Sequence, residues 1–136
     1  MTVCGSDIPP PSKSGNNWFF HIGIGLDFNS GSPASIVVGG RLTHFSEGRA
    51  TISDPATGAL LFYTAADTIW NRYHVPMGNG SGIKGHWSSA QSELIVPYPG
   101  NSDKYYVFTS NGGSGDAIGY YSVSYTHLTL PTNREV

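Results

Sequence analysis

No window of eleven or more residues in this chain carries apolar side chains at i, i+3, i+4 and i+7 without a glycine or proline inside it. That spacing is what an amphipathic helix needs to turn one stripe toward a core, so helices are excluded as the organising element and the chain is expected to be all-β. What it offers instead are short runs rich in aromatic and β-branched residues. They are "NWFFHIGIG" (Asn17 to Gly25), "ASIVV" (Ala34 to Val38), "RATIS" (Arg49 to Ser53), "ALLFYT" (Ala59 to Thr64), "TIWN" (Thr68 to Asn71), "SELIVP" (Ser92 to Pro97), "KYYVFTS" (Lys104 to Ser110) and "AIGYYSV" (Ala117 to Val123). Gly, Pro, Asn, Asp and Ser separate them, which is the punctuation of strands joined by turns.

The best-marked turn lies in "ATISDPATGALLFYT". Asp54 can accept backbone hydrogen bonds, Pro55 presets its own φ, and Gly58 supplies a positive φ before the return strand. A second hairpin, "LIVPYPGNSDKYYVFT", repeats the order. Ile52, Pro55, Gly58, Phe62 and Thr64 answer to Ile95, Pro97, Gly100, Phe108 and Thr109 at offsets of 42 to 46 residues. A third strand follows each hairpin. Units of three or four antiparallel strands at this period predict an incomplete β-propeller of two to three blades, each burying its faces only against its neighbours. A β-sandwich is the alternative, since short, evenly spaced strands fit both.

Net charge is −2 and charged residues make up 12% of the chain, without a basic run or stripe. Such a surface lacks the electrostatic footprint of a nucleic-acid or anionic-membrane partner, and a low-charge, Gly-rich composition is typical of extracellular β proteins. No apolar stretch is long enough to span a bilayer, so no membrane insertion is expected. The N-terminus, "MTVCGSDIPPPSKSG", lacks a signal peptide's basic and apolar regions. Residues 1–15 read as a disordered, solvated lead-in. The single cysteine, Cys4, cannot form an internal disulfide.

Patterns that carry chemistry fail at named positions. "GIGLDF" has Gly23 and Gly25 but no third glycine and no helix to receive a phosphate. "DFNSGS" starts like a calcium loop, yet its twelfth position is Val38 where a bidentate Glu is required. "NGGSGDA" (Asn111 to Ala117) places Asp116 one residue early for a calcium repeat and reads as a hairpin loop. His21, His44, His74, His86 and His127 show no zinc spacing, and no Gly-x-Ser-x-Gly elbow positions a serine nucleophile. Glu47, Asp54, Asp67 and Glu93 carry no spacing that pairs them as acid and base. No catalytic residue, cofactor or metal is therefore assigned. The remaining signal is aromatic: Tyr73, His86, Trp87 and Tyr98 lie in or beside Gly/Pro/Ser-rich loops, where an amphipathic ring can meet a ligand. "NGS" at Asn79 also matches the glycosylation sequon.

The stretches "NNWFFHIGIGLDFNSGSP", "SEGRATISDPATGALLFYT", "IWNRYHVPMGNGSGIKGHWSSAQSELIVPYPGN" and "YYVFT" resemble the N-terminal propeller region of large secreted, gliding-associated proteins of Bacteroidetes-type bacteria that carry a type IX secretion sorting domain. The resemblance covers about Asn16 to Ser122. It departs at Ala66-Asp67, where the family tends to have Asp-Gly, and at Arg49, where it often has a small or thiol side chain. It implies a cell-surface module of residues 16–122 that binds a glycan or protein ligand, with further blades and a sorting domain elsewhere in the protein. A propeller enzyme such as a glycan hydrolase, its catalytic residues in other blades, is the alternative. The segment "VSYTHLTLPT" (Val123 to Thr132) resembles the translation of a transposase sequencing adaptor over ten consecutive residues. Residues 123–136 are accordingly expected to be an artefact, with the natural protein continuing past Ser122.

Overall fold

The structure, a computed structural model, describes residues 9–20, 23–38, 47–111 and 118–125. Cys4, His21, His44, His127, most of the Asn111–Ala117 loop and the tail beyond Tyr125 lie outside the described residues.

Ten strands follow one another: β1 (Asn17–Phe20), β2 (Ile24–Asp27), β3 (Ala34–Val37), β4 (Thr51–Ser53), β5 (Leu60–Ala65), β6 (Thr68–Asn71), β7 (Pro76–Ser81), β8 (Glu93–Pro97), β9 (Lys104–Ser110) and β10 (Ile118–Ser124). They form three antiparallel meanders, β1-β2-β3, β4-β5-β6-β7 and β8-β9-β10, each built from one contiguous stretch of chain. The molecule is thus all-β, without a helix among the described residues, and its sheets pack face to face in sandwich-like fashion. No closed ring or barrel forms among those residues. No helix there is long and apolar enough to cross a membrane.

Local chemistry explains most boundaries. Asp54 Oδ1 accepts from the backbone of Ala56 and Thr57 and from the Thr57 hydroxyl, and Gly58 takes φ +79°, which closes the β4–β5 hairpin. The Thr57 backbone N–H is the main cause of a lowered Asp54 pKa. The run Asn17–Gly25, expected as one strand, is instead divided between β1 and β2, which pair Phe20 with Ile24; Gly23 at φ +62° lets the chain reverse. β7, "PMGNGS", has no strand-forming pattern of its own and is recruited by pairing with β6 across a register shift. The end of the lead-in is anchored: Lys13 N–H donates to Pro55 O, and Ser53 N–H to Ser14 O. β10 runs to Ser124, past the boundary drawn at Ser122, and Val123 is fully buried.

The middle sheet is covered on both faces. Toward the third sheet, Ile52, Leu61, Phe62 and Ile69 pack with Tyr105, Val107, Tyr121 and Val123. Toward the first, Tyr63 stacks on Phe19 at 4.6 Å, with Leu60, Trp70 and Ile36 around the pair. A register shift opposite Ile52 and Ser53 skips Leu61, so Leu61 and Phe62 enter one core while Leu60 and Tyr63 enter the other.

The outer sheets each have one covered face and one apolar face left open. Trp18, Phe20, Ile24 and Val37 are exposed on the first sheet, where pairing of Trp18 with Leu26, Phe20 with Ile24 and Ile24 with Val37 sets them side by side. On the third, Leu94, Phe108 and Ile118 are exposed, and Phe108 pairs with both Leu94 and Tyr120. Tyr106, Phe108 and Tyr120 form an aromatic ladder with centroids 5.7 to 6.1 Å apart.

Candidate functional site

The four aromatic candidates occupy three places. Tyr73 is exposed in the β6–β7 turn, which Asn71 Oδ1 closes by accepting from the N–H groups of Tyr73 and Val75. Tyr98 caps β8 and leans on Tyr106 at 4.9 Å, so it belongs to the open face of the third sheet. Only His86 and Trp87 meet, with ring centroids 5.5 Å apart and planes at 28°.

The segment carrying that pair, between β7 and β8, is braced from three directions. Ile83 N–H donates to Asp67 O at 3.0 Å, Lys84 N–H to the Tyr121 hydroxyl at 2.7 Å, and Glu47 N–H to Trp87 O at 3.0 Å. Gly85 passes so close to the Ala66–Asp67 turn that a Cβ would land on the Ala66 carbonyl oxygen. Ala66 itself holds φ +54°, a left-handed position that disfavours a side chain. A left-handed alanine therefore leaves strain where the loop is pinned. On this brace Trp87 is 60% exposed. A cavity of about 230 Å³ opens beside it, lined by Ala66, Asp67, Gly85 and Trp87.

A larger groove, about 620 Å³, runs between β1 and the start of β4, with Asn17, Trp18, Phe20, Glu47, Arg49 and Thr51 among its walls. The first two sheets meet beside it, where Asn17 Nδ2 donates to Ser53 Oγ at 2.9 Å. A Cβ on Gly48 would strike Ser92 Oγ, immediately before β8.

Behind that junction sits Glu93, 7% exposed, with both carboxylate oxygens shielded from solvent. Burial pushes its carboxyl up to about 7, against the Ser92 hydroxyl and the Arg49 guanidinium, which pull it down. Burial likewise lowers Arg49, opposed by Tyr63 and Glu93. For both groups, loss of water outweighs their mutual attraction. Glu93 lines neither cavity; a Cβ on Gly85 would lie 3.3 Å from its Oε1, which places it behind the wall beside Trp87. A carboxyl so placed can hold a proton near neutrality but has no route to a substrate in either space. Sequence reasoning missed this burial because every neighbour of Glu93 in "ELIVP" is apolar and the alternation has no phase.

Among the described residues, no group of three or more His, Cys, Asp or Glu could hold a metal ion. No protein family, curated protein or solved structure matches the chain.

Proposed function

We propose that this chain is part of a non-catalytic binding and scaffold module of a secreted cell-surface protein of the adhesion or gliding-associated kind, built by stacking propeller-blade-like sheets. The stacking of the sheets carries this reading: three meanders, each built from one contiguous stretch of chain, lie in sequence order, and each outer sheet leaves an apolar face open, with Trp18, Phe20, Ile24 and Val37 on the first and Leu94, Phe108 and Ile118 on the third. Units that bury both faces only between neighbours are what a propeller or solenoid repeats. The matched residues do not all keep one direction: Phe62 is buried against the third sheet while Phe108 points away from the middle one, whereas Ile52 and Ile95 pack on the same core, as in a sandwich. The resemblance to secreted surface proteins supports the placement outside the cell.

The enzyme reading gains one observation, the proton held by Glu93 near neutrality. It loses more, because Glu93 lines neither cavity and no described carboxylate pairs with it. Fractionation of the native protein tests the proposal and should recover it outside the cell. Recovery from the cytosol, or turnover of any substrate abolished by Glu93→Gln or Glu47→Gln, contradicts it.

A further inference from the structure

Resting on the binding-module reading, we propose that the cavity beside Trp87 takes one ring of a neutral, hydroxyl-rich saccharide, stacked on the indole. A cavity of about 230 Å³ lies below the ~300 Å³ at which ordinary ligand pockets begin, so it admits a single ring rather than a chain. Its walls pair an apolar face with a hydrogen-bond acceptor. Trp87 contributes a largely exposed indole. Asp67 spends one oxygen, Oδ1, on the Thr68 hydroxyl at 3.0 Å and keeps the other as an acceptor. His86 lies outside the lining and stacks on the indole, its Nδ1 accepting the Ser88 N–H at 3.2 Å.

An acceptor beside one flat apolar surface matches a sugar, whose hydroxyls donate hydrogen bonds and whose C–H face is apolar. An anion is disfavoured by Asp67. An ammonium group also suits indole and carboxylate, and the test sets it against the sugar. The brace from Asp67, Tyr121 and Glu47 fixes the backbone of the segment that carries the indole before any ligand arrives, which lowers the ordering cost of binding. The larger groove is the weaker candidate, because two of its aromatic walls, Trp18 and Phe20, belong to the open face of the first sheet and the third, Phe19, is buried against the middle one.

The test presents neutral oligosaccharides of glucose, mannose and xylose on multivalent beads to the full chain and its variants. At least one should bind. Trp87→Ala should lower its apparent affinity about tenfold or more, whereas Trp87→Phe keeps most of it. Asp67→Asn should lower it about threefold, and Tyr73→Ala should leave it unchanged. Equal melting temperatures show that the variants are folded. Binding indifferent to Trp87→Ala overturns the site but leaves the binding module standing. So does a Trp87 indole N–H resonance that shifts with a quaternary ammonium ligand and with no sugar. If the full protein attaches to cells while every neutral sugar fails, the saccharide inference alone falls. If attachment fails too, the binding reading falls with it.

Discussion

The middle sheet and its two neighbours are made from the same kinds of residue and differ in what covers them. Phe62 and Tyr63, adjacent on β5, point to opposite faces, and both are fully buried. Phe19 and Phe20 alternate in the same way on β1, yet Phe19 is buried and Phe20 exposed; Val107 and Phe108 repeat the contrast on β9. Strand propensity and alternation are equal in the three cases. Burial is decided by position in the stack: the middle sheet lies between two others, and each outer sheet is covered on one face alone.

The largest expected effect separates matched phenylalanines. Phe62→Ala should destabilise the chain by about 3–5 kcal/mol, since it opens a cavity between two packed sheets. Phe108→Ala should cost under about 1 kcal/mol, its ring lying on an open face with no sheet against it. Urea unfolding of the two variants measures the difference, and equal losses would break the comparison.

Glu93 sharpens it from the charged side. In the unfolded chain a glutamate titrates near about 4.3, and in the fold Glu93 is pushed up to about 7. Between these values the folded state holds the extra proton, so stability falls as pH rises through that window, and the loss persists above it. Glu93→Gln should therefore raise the melting temperature at pH 8 by roughly several degrees and leave it unchanged at pH 4. A variant gain of the same size at both pH values would show that the carboxyl is not what titrates. Smaller still is the strained turn of the middle sheet. Ala66→Gly should stabilise by about 0.5–1 kcal/mol, because φ +54° suits glycine better than alanine. Denaturant midpoints with an unchanged slope would register it.

The strands were legible where composition and turn chemistry agreed. Asp54, Pro55 and Gly58 announce the β4–β5 hairpin, and Asn101 and Asp103 act similarly before β9, with Asn101 Oδ1 accepting the Asp103 N–H. β7 was not legible, since "PMGNGS" forms a strand only because β6 offers it an edge. The β1–β2 reversal was hidden by Ile22 and Ile24, which flank Gly23 directly and read as a continuing strand. Of the site, Trp87 and His86 could be nominated from their loop, but Tyr73 and Tyr98 looked the same and were placed elsewhere. The partners that brace the Trp87 segment, Asp67 and Tyr121, come from the β5–β6 turn and from β10, and no local pattern encodes such a meeting.

The account stands on the open apolar faces of the outer sheets being interfaces for further sheets. Sedimentation velocity over a range of concentrations, with dye binding to exposed apolar surface, tests this directly. The wild-type chain should bind the dye and self-associate as concentration rises, because each bare face finds another. A variant carrying Phe20→Ser, Ile24→Thr, Leu94→Thr and Phe108→Thr should stay monomeric, bind little dye and melt at nearly the same temperature. A wild-type chain that is monomeric at all concentrations, dye-free and sharply and reversibly melting would contradict the claim.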